Sequence, residues 1–310
     1  MKELSPSQLM EEYRGRARID PHIHLEGPLK GASEVISYLD RHGVDVGFLI
    51  ASPLKEGKGS PNEDMPSIQK WYLGGLGNTP LGHFVSDTIM YPFIKRMIVQ
   101  SPNNNRVIAV SKKYPDRLMA WLFANPKEGI NKTLDEMKAV VDSKSVNVAG
   151  FKLHFWVYPT DIVDPNVMQI ADLAQEKKLP ILVDVGVNRG NMKRFDEFAS
   201  RHPEVPIIAA HLGSFLPEVI ASAQRNPNVF LDMSGYPVTG RNLRKVLAKL
   251  SPDKVIFGSD SPGGLGGSIV GQLGALYEAC LTMQEEDLIL TGNITSIVPE
   301  AAEMLKNRKS

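Results

Sequence analysis

Short apolar segments alternate with amphipathic helical segments along most of this 310-residue chain, and this alternation limits the fold more than any other feature. Apolar runs bounded by turn residues are typical of strands buried on both faces, which need crossover helices between parallel neighbours. Eight strands are predicted, at the histidine-containing segment 18–27 and at 45–51, 118–124, 148–154, 180–185, 206–211, 229–233 and 254–259. Helices are predicted at 31–42, 104–114, 131–142, 166–178, 192–202, 216–225, 241–250 and 269–279.

Eight strand–helix repeats predict an α/β fold, a (β/α)8 TIM barrel. A doubly wound open sheet is the alternative. Against it, no Gly-x-Gly-x-x-Gly turn follows an early strand. The glycine-rich run 263–267 lacks a P-loop lysine, and we interpret it as a flexible loop at the rim.

Residues 54–102 interrupt the alternation after strand 2. Glycine and proline are frequent there, but so are aromatic residues, namely Trp71, Tyr72, Phe84, Tyr91 and Phe93. This content is too aromatic for a disordered linker, so we expect an ordered insertion that roofs a pocket or makes a subunit contact. The expected organisation is a single barrel domain spanning 1–310, with two domains as the alternative.

Charge and cysteine content restrict the class of partner. Lysine plus arginine equals aspartate plus glutamate at 35 each, so no global field attracts nucleic acid or an anionic membrane. Cys280 is the only cysteine, no secretory signal is recognised, and the longest apolar run, near 46–54, is too short to cross a bilayer. We therefore expect a soluble, cytoplasmic protein with a small-molecule substrate, and we leave homo-oligomer formation open.

Ionisable residues recur where the predicted strands end. Two histidines one residue apart on a strand project from the same face and can hold one metal ion. In a barrel the chemistry lies at the carboxyl ends of the strands, so these side chains should meet at one mouth. They are His22, His24, Lys152, His154, Asp184, His211 and Asp260. Singly, each has an ordinary alternative as a helix cap, an ion-pair partner or a backbone hydrogen-bond donor.

Taken together, four motifs resemble the amidohydrolase superfamily, in particular the amidohydrolase-related (amidohydrolase 2) branch that includes aromatic-acid decarboxylases and lactonases. The motifs are Ile19-Asp20-Pro21-His22-Ile23-His24-Leu25, Gly150-Phe151-Lys152-Leu153-His154, Ala210-His211-Leu212-Gly213 and Phe257-Gly258-Ser259-Asp260-Ser261-Pro262. The resemblance implies one divalent metal ion held by the strand 1 histidines, a strand 5 histidine and the strand 8 aspartate. It also places the strand 6 histidine, His211, beside the reacting group.

The chain departs from this pattern at strand 5, where Asp184 stands in the frame of the family's histidine. The expected ligands are then His22, His24, Asp184 and Asp260, and the added carboxylate makes manganese or magnesium plausible beside zinc, which we favour. His154 could instead supply the missing nitrogen, or a carbamylated Lys152 could bridge two metals. Loss of the metal is the remaining alternative.

The resemblance implies a hydrolase that cleaves a small-molecule ester, lactone or amide through a metal-activated water. Asp260 would transfer the proton and His211 would stabilise the oxyanion. Substrate binding is expected from Lys152, His154 and Arg189, although Arg189 could be an ordinary surface arginine.

Three other functions remain open. The same metal site could decarboxylate an aromatic or unsaturated acid. A barrel without its strand 5 ligand could be a non-catalytic binding or assembly protein. The opening motif also resembles that of adenosine deaminases, but Asp260-Ser261 replaces their Asp-Asp pair.

Overall fold

The computed structural model describes residues 4–53, 101–127, 129–185, 189–235, 238–262 and 267–309. The predicted insertion lies outside the described residues except for its last two positions, 101 and 102. Most of the glycine-rich run 263–267 also lies outside them.

Eight parallel strands form one sheet in sequential order. Every residue of β1, β2, β3 and β6 is buried, as expected for strands covered by helices on one side and by the barrel core on the other. The strands are β1 (Ile19–Leu25), β2 (Val46–Ala51), β3 (Leu118–Phe123), β4 (Val148–His154), β5 (Ile181–Asp184), β6 (Ile207–Ala209), β7 (Val229–Asp232) and β8 (Val255–Ile256).

Helices follow the strands, and several begin at a side-chain cap, as Asn103, Asp164, Thr239 and Ser268 illustrate. The helices are α1 (Pro6–Glu12), α2 (Ala32–Arg41), α3 (Asn104–Ser111), α4 (Ile130–Ser143), α5 (Pro165–Lys177), α6 (Arg189–Arg201), α7 (Pro217–Arg225), α8 (Gly240–Leu247), α9 (Ile269–Ala279), α10 (Met283–Asp287), α11 (Asn293–Ile297) and α12 (Pro299–Lys309). None of these described helices is long and apolar enough to cross a membrane.

Backbone hydrogen bonds between β1 and the segment after β8 close the sheet. The Asp260 amide donates to the His22 carbonyl at 2.8 Å, and the His24 amide donates to the Ser261 carbonyl at 2.7 Å. Ile23 and Ser261 form a parallel bridge at the same place. The predicted (β/α)8 barrel is therefore confirmed, and its closure brings Asp260 next to the histidines of β1.

Six of the strands end earlier than predicted, and the differences at β6 and β8 concern site residues. The prediction extended strand 6 to His211 and strand 8 to Ser259, whereas β6 ends at Ala209 and β8 at Ile256. His211 and Asp260 have positive φ angles of 57° and 62°, which are incompatible with a regular strand. Both residues therefore lie in turns beyond their strands, as predicted for Asp260 but not for His211.

The start of α6 also differs from the prediction. The predicted helix begins at 192, with Arg189 in the preceding loop, but α6 begins at Arg189. The helix therefore starts three residues earlier than the apolar pattern indicates.

Candidate metal centre and its neighbouring ion pairs

The barrel gathers six of the seven ionisable strand-end residues through ion pairs or short contacts, all at the carboxyl ends of the strands. β1 carries His22 and His24, and β4 and β5 end at His154 and Asp184. The last two residues are direct partners in the parallel register, so their side chains start from neighbouring positions. The turns after β6 and β8 contribute His211 and Asp260 to the same mouth.

His22, His24 and Asp260 form the tightest group. One potential ligand atom from each residue lies within 4.8 Å of the others. Nε2 of His24 is 3.2 Å from Oδ1 of Asp260, and Nε2 of His22 is 3.5 Å from the same oxygen. Two imidazole nitrogens and one carboxylate oxygen are a donor set that zinc and other divalent first-row metals accept.

The hydrogen bonds of His22 leave its Nε2 atom available to a metal. Its Nδ1 atom lies 2.8 Å from Oδ2 of Asp232, and the Ser234 hydroxyl is 3.0 Å from the same nitrogen. A carboxylate on one ring nitrogen fixes the proton there and turns the lone pair of the other nitrogen outward. Burial and the nearby Lys152 charge lower the pKa of His22 to about 4, so the ring is neutral, as a ligand requires.

Asp232 at the end of β7 connects His22 with His211. Its Oδ1 atom accepts hydrogen bonds from the amide of His211 at 2.9 Å and from the amide of Ser234 at 3.0 Å. The Ser234 hydroxyl donates to the same oxygen at 2.5 Å. Although burial opposes ionisation, His22 holds the pKa of Asp232 down at about 2. Asp232 thus remains a fixed anion behind the two histidines.

Asp184 lies on the other side of the mouth between two histidines. Its Oδ2 atom is 3.3 Å from Nε2 of His154 and 3.4 Å from Nε2 of His211. Burial would raise the pKa of Asp184, but these histidines hold it well below its usual range. Burial likewise opposes the charge on His211, yet its hydrogen bond to Asp184 and the surrounding carboxylates raise the pKa of His211 to about 10.

His154 differs from His211 because its pKa falls. Burial is the main cause and lowers it to about 3, against the attraction of Asp184. The ring stacks against Phe123 with the centroids 6.0 Å apart. His154 is therefore a neutral residue in an aromatic setting, beside a charged His211.

Lys152 is fully buried in β4, and its Nζ atom has no hydrogen-bond partner among the described residues. Burial lowers its pKa, while Asp184, Asp232 and Asp260 favour the charged form. An unpartnered amine in a buried site is costly unless a ligand or substrate group satisfies it.

Asp260 remains ionised at the rim of the barrel. Burial would raise its pKa, but the hydrogen bond from His24 and the charges of His211 and His22 hold it well below its usual range. The Asp260 side chain is 16% exposed, whereas that of His22 is 1% exposed. Asp260 is thus the most exposed member of the group of His22, His24 and Asp260.

Gly235 lies directly against this centre. Its φ angle is 72°, and a Cβ atom there would stand 2.8 Å from Nδ1 of His211 and 3.1 Å from Oδ2 of Asp260. The position therefore requires glycine both for its backbone angle and for the space beside the two side chains.

The structure brings together three of the four predicted metal ligands. Asp184 is outside the group of His22, His24 and Asp260 and contacts His154 and His211 instead. Its role as a fourth ligand stays a prediction. The side chain of Arg189 lies outside the described residues, so its predicted contact with substrate also stays a prediction.

Sequence reasoning missed Asp232 and Ser234. Asp232 ends β7 at the same edge as the other site residues, so the strand-end rule could have found it. An isolated aspartate belongs to no recognisable motif, so its residue type alone does not distinguish it.

Comparison with known proteins agrees with the barrel fold. The amidohydrolase family model (Amidohydro_2) matches residues 96–298. No curated protein matches the sequence significantly. An uncharacterised TIM-barrel protein from Bordetella bronchiseptica is similar in structure, with a TM-score of 0.64, 14% identity and coverage of 92% of this chain and 99% of that chain.

Two further solved structures, each named for a reaction, share the fold at similarly low sequence identity. A probable 2-pyrone-4,6-dicarboxylic acid hydrolase from Acinetobacter baumannii gives a TM-score of 0.60 at 14% identity, covering 91% of this chain and 99% of that one. A 2,6-dihydroxybenzoate decarboxylase from Rhizobium gives 0.57 at 12% identity, covering 92% and 99%. Since the family model spans well over half of the sequence, this chain belongs to the amidohydrolase family.

Proposed function

We propose that this protein is a metal-dependent hydrolase that cleaves an ester, lactone or amide bond in a small carboxylated molecule. The observation that carries the proposal is the convergence of Nε2 of His22 and Nε2 of His24 on one carboxylate oxygen of Asp260. Membership of the amidohydrolase family supports it.

The residues present fit one divalent metal ion. His22 is neutral and oriented by Asp232, and Asp260 is ionised, so two ligands are already in the required protonation states. We favour zinc because two of the donors are imidazoles, and manganese or magnesium becomes competitive if Asp184 joins the site.

Proton transfer and oxyanion stabilisation would be carried out by different residues of the chain. A divalent ion supplies Lewis acidity, which lowers the pKa of water and polarises a substrate oxygen. Asp260 would accept the proton of the attacking water and return it to the leaving group. His211, kept charged by Asp184, would donate a hydrogen bond to the developing oxyanion.

Lys152 would bind a carboxylate of the substrate. Its unpartnered Nζ atom is buried among the site residues, so an anionic group entering the mouth would accept hydrogen bonds from it and favour its charged form. We place His154 beside the same group, and Arg189 at the start of α6 as a further cation. The fold neighbour described as a probable 2-pyrone-4,6-dicarboxylic acid hydrolase is named for a substrate of this class.

Decarboxylation of an aromatic acid is the second candidate, and the aromatic surroundings of His154 favour it. Phe123 stacks on His154, Tyr158 contacts Phe123 edge-on at 6.0 Å, and Trp156 lies 6.2 Å from the His154 ring. Such a setting suits a flat aromatic substrate. The fold neighbour that decarboxylates 2,6-dihydroxybenzoate is consistent with this reaction.

A substrate screen in ¹⁸O-labelled water separates the two reactions. The protein is incubated with lactones, esters, amides and hydroxybenzoic acids, and the products are analysed by mass spectrometry. Hydrolysis incorporates ¹⁸O into the product, whereas decarboxylation releases carbon dioxide and yields a product without the label. We expect ¹⁸O incorporation that Asp260→Asn abolishes and that the exposed control Asp253→Asn preserves. Carbon dioxide release without ¹⁸O incorporation would replace hydrolysis by decarboxylation.

A further inference from the structure

A buried tyrosine of α2 contacts the turn that carries Asp260. This residue, Tyr38, is 8% exposed and lies on the face of α2 that packs into the core. Its hydroxyl donates a hydrogen bond at 2.8 Å to Oγ of Ser261, the residue that follows Asp260. Ser261 is fully buried, so the bond joins two side chains that are shielded from water. It connects α2 directly to the turn after β8.

Ser261 in turn is bonded through its backbone. Its carbonyl accepts a hydrogen bond from the amide of His24 at 2.7 Å, and its own amide donates to Oγ of Ser259 at 3.0 Å. The hydroxyl, carbonyl and amide of this one residue are therefore all engaged. Any shift of Ser261 would displace its neighbour Asp260 and the backbone of His24 together.

The preceding residue of the turn, Ser259, is held by β1. Oδ1 of Asp20 accepts hydrogen bonds from the amide of Ser259 at 3.0 Å and from that of His22 at 3.2 Å. The Asp260 amide donates to the His22 carbonyl at 2.8 Å. Asp260 thus lies between two anchored serines, one bound to β1 and the other, Ser261, bound to α2 as well.

The turn depends on these anchors because its backbone is unfavourable for an aspartate. Asp260 has a φ angle of 62°, in the left-handed region that side chains with a Cβ atom disfavour. Such a conformation persists only where the surrounding contacts determine it. Gly267 covers the turn from another side, since a Cβ atom there would clash with the carbonyl oxygens of Ser259 and Asp260. The direction of the Asp260 side chain therefore follows from the contacts of its neighbours.

The ring of Tyr38 is itself held at the end of α2. Its centroid is 4.4 Å from that of the His42 ring, and Nδ1 of His42 lies 2.8 Å from the Tyr38 carbonyl oxygen. These contacts involve the ring and the backbone rather than the hydroxyl. Loss of the hydroxyl alone should therefore leave the packing of α2 in place.

We propose that Tyr38 is a positioning residue for Asp260, acting through its hydrogen bond to Ser261. The inference rests on the proposed function, because it gives Tyr38 a part in the work of Asp260 as metal ligand and proton carrier. The bond helps to fix the Asp260 carboxylate at its short distances from Nε2 of His22 and Nε2 of His24. Loss of an indirect partner of this kind commonly changes metal affinity or activity by about 10–100-fold.

Tyr38→Phe removes only the hydroxyl, and Tyr13→Phe is its matched control. Tyr13 is also buried, and its hydroxyl donates to Oε1 of Glu286 at 3.0 Å, next to Arg18, which precedes β1. Both variants should lose a similar amount of thermal stability. We expect only Tyr38→Phe to lower metal affinity and kcat, each by about tenfold. Its KM should stay near the native value, because Lys152 still binds the substrate carboxylate.

A double-mutant cycle tests whether Tyr38 acts through Ser261. Ser261→Ala removes the acceptor, so the double variant of Tyr38→Phe and Ser261→Ala should bind metal no more weakly than the weaker single variant. Effects that multiply would overturn the proposal. Native metal affinity and kcat in Tyr38→Phe, or equal losses in Tyr38→Phe and Tyr13→Phe, would overturn it as well.

Hydrogen–deuterium exchange of the metal-free protein separates this proposal from the proposed function. The peptide that contains the Asp260 amide should exchange faster in Tyr38→Phe than in the native protein or in Tyr13→Phe, because the turn has lost an anchor. Faster exchange in a protein that binds no metal would reject the proposed function and still support the anchoring of Asp260 by Tyr38. Unchanged exchange would overturn the anchoring even where the native protein binds metal.

Discussion

At the residue scale, the protonation of His22 depends on Asp232. Asp232 accepts from Nδ1 of His22, so Nε2 faces Asp260 with its lone pair free. The same carboxylate accepts from the His211 amide, which connects the metal centre to the proposed oxyanion donor. Such indirect partners commonly influence metal affinity as strongly as a weak ligand does.

Replacing Asp232 by Asn should therefore weaken metal binding without unfolding the protein. The asparagine amide can donate to Nδ1 of His22 and so move the ring proton to Nε2, where it blocks coordination. We expect metal affinity to fall by about 10–100-fold, measured by competition with a chelating dye. The exposed Asp253→Asn serves as the control, and native affinity in Asp232→Asn would exclude this role.

Asp184 is the predicted fourth ligand, at the position where the sequence resemblance implies a histidine. If Asp184 reaches the metal as a fourth ligand, Asp184→His replaces an oxygen donor by an imidazole nitrogen. We expect this variant to bind zinc more tightly relative to manganese than the native protein does. Affinities for both metals in both proteins provide the measurement. An unchanged zinc-to-manganese ratio would restrict Asp184 to its ion pairs with His154 and His211.

At the element scale, the turns after the strands determine the geometry of the site. β6, β7 and β8 are short, and His211, Gly235 and Asp260 all lie beyond them with positive φ angles. The left-handed backbone of His211 and Asp260 directs their side chains into the space beside Gly235. Substitution of this glycine should therefore disturb the metal centre as well as the backbone.

Gly235→Ala and Gly15→Ala form a matched pair that separates the two effects. Both positions have positive φ angles, so each alanine should lower the free energy of unfolding by roughly 1–2 kcal/mol. Only the Cβ atom at 235 would meet site residues, so only Gly235→Ala should also reduce metal affinity and turnover. Chemical denaturation and metal titration measure the two quantities. Equal metal affinity in the two variants would show that the turn tolerates the added carbon.

The regular elements were predictable from sequence because burial on both faces produces continuous apolar runs. β4 has the predicted bounds, and α5 buries one face, with Val167, Ile170, Ala171 and Ala174 at helical spacing. The turns were not predictable in detail, since nothing in the residue type of His211 or Asp260 indicates a left-handed backbone. Helix starts were also not predictable in detail, because the apolar pattern does not mark the first turn. The early start of α6 at Arg189 is an example.

The convergence of the site residues was predictable, because the carboxyl ends of parallel strands lie at the same end of the barrel. Six of the seven converge through measured contacts, but their pairing could not be read from the sequence, because it depends on register and on the turns. The opposed positions of His154 and Asp184 in the β4–β5 ladder place this carboxylate next to His154 rather than in the group around Asp260.

At the scale of the whole molecule, barrel closure creates the proposed metal centre. His22 and Asp260 are far apart in sequence, and the backbone hydrogen bond between them joins the first strand to the segment after the last. The barrel architecture is shared with both hydrolases and decarboxylases, so the fold restricts the reaction less than the site does. The reaction therefore depends on the proposed metal centre.

Metal content of the purified protein tests this claim most directly. We predict about one divalent ion per chain by plasma mass spectrometry, lost in His22→Gln and His24→Gln while the far-UV spectrum is unchanged. His202→Gln is the matched control, because His202 is also buried and paired with an aspartate, Asp172, but lies just after α6, away from the candidate metal centre. It should retain the native metal content. A native protein that binds no zinc, manganese or magnesium, or histidine variants that keep full occupancy, would contradict the account.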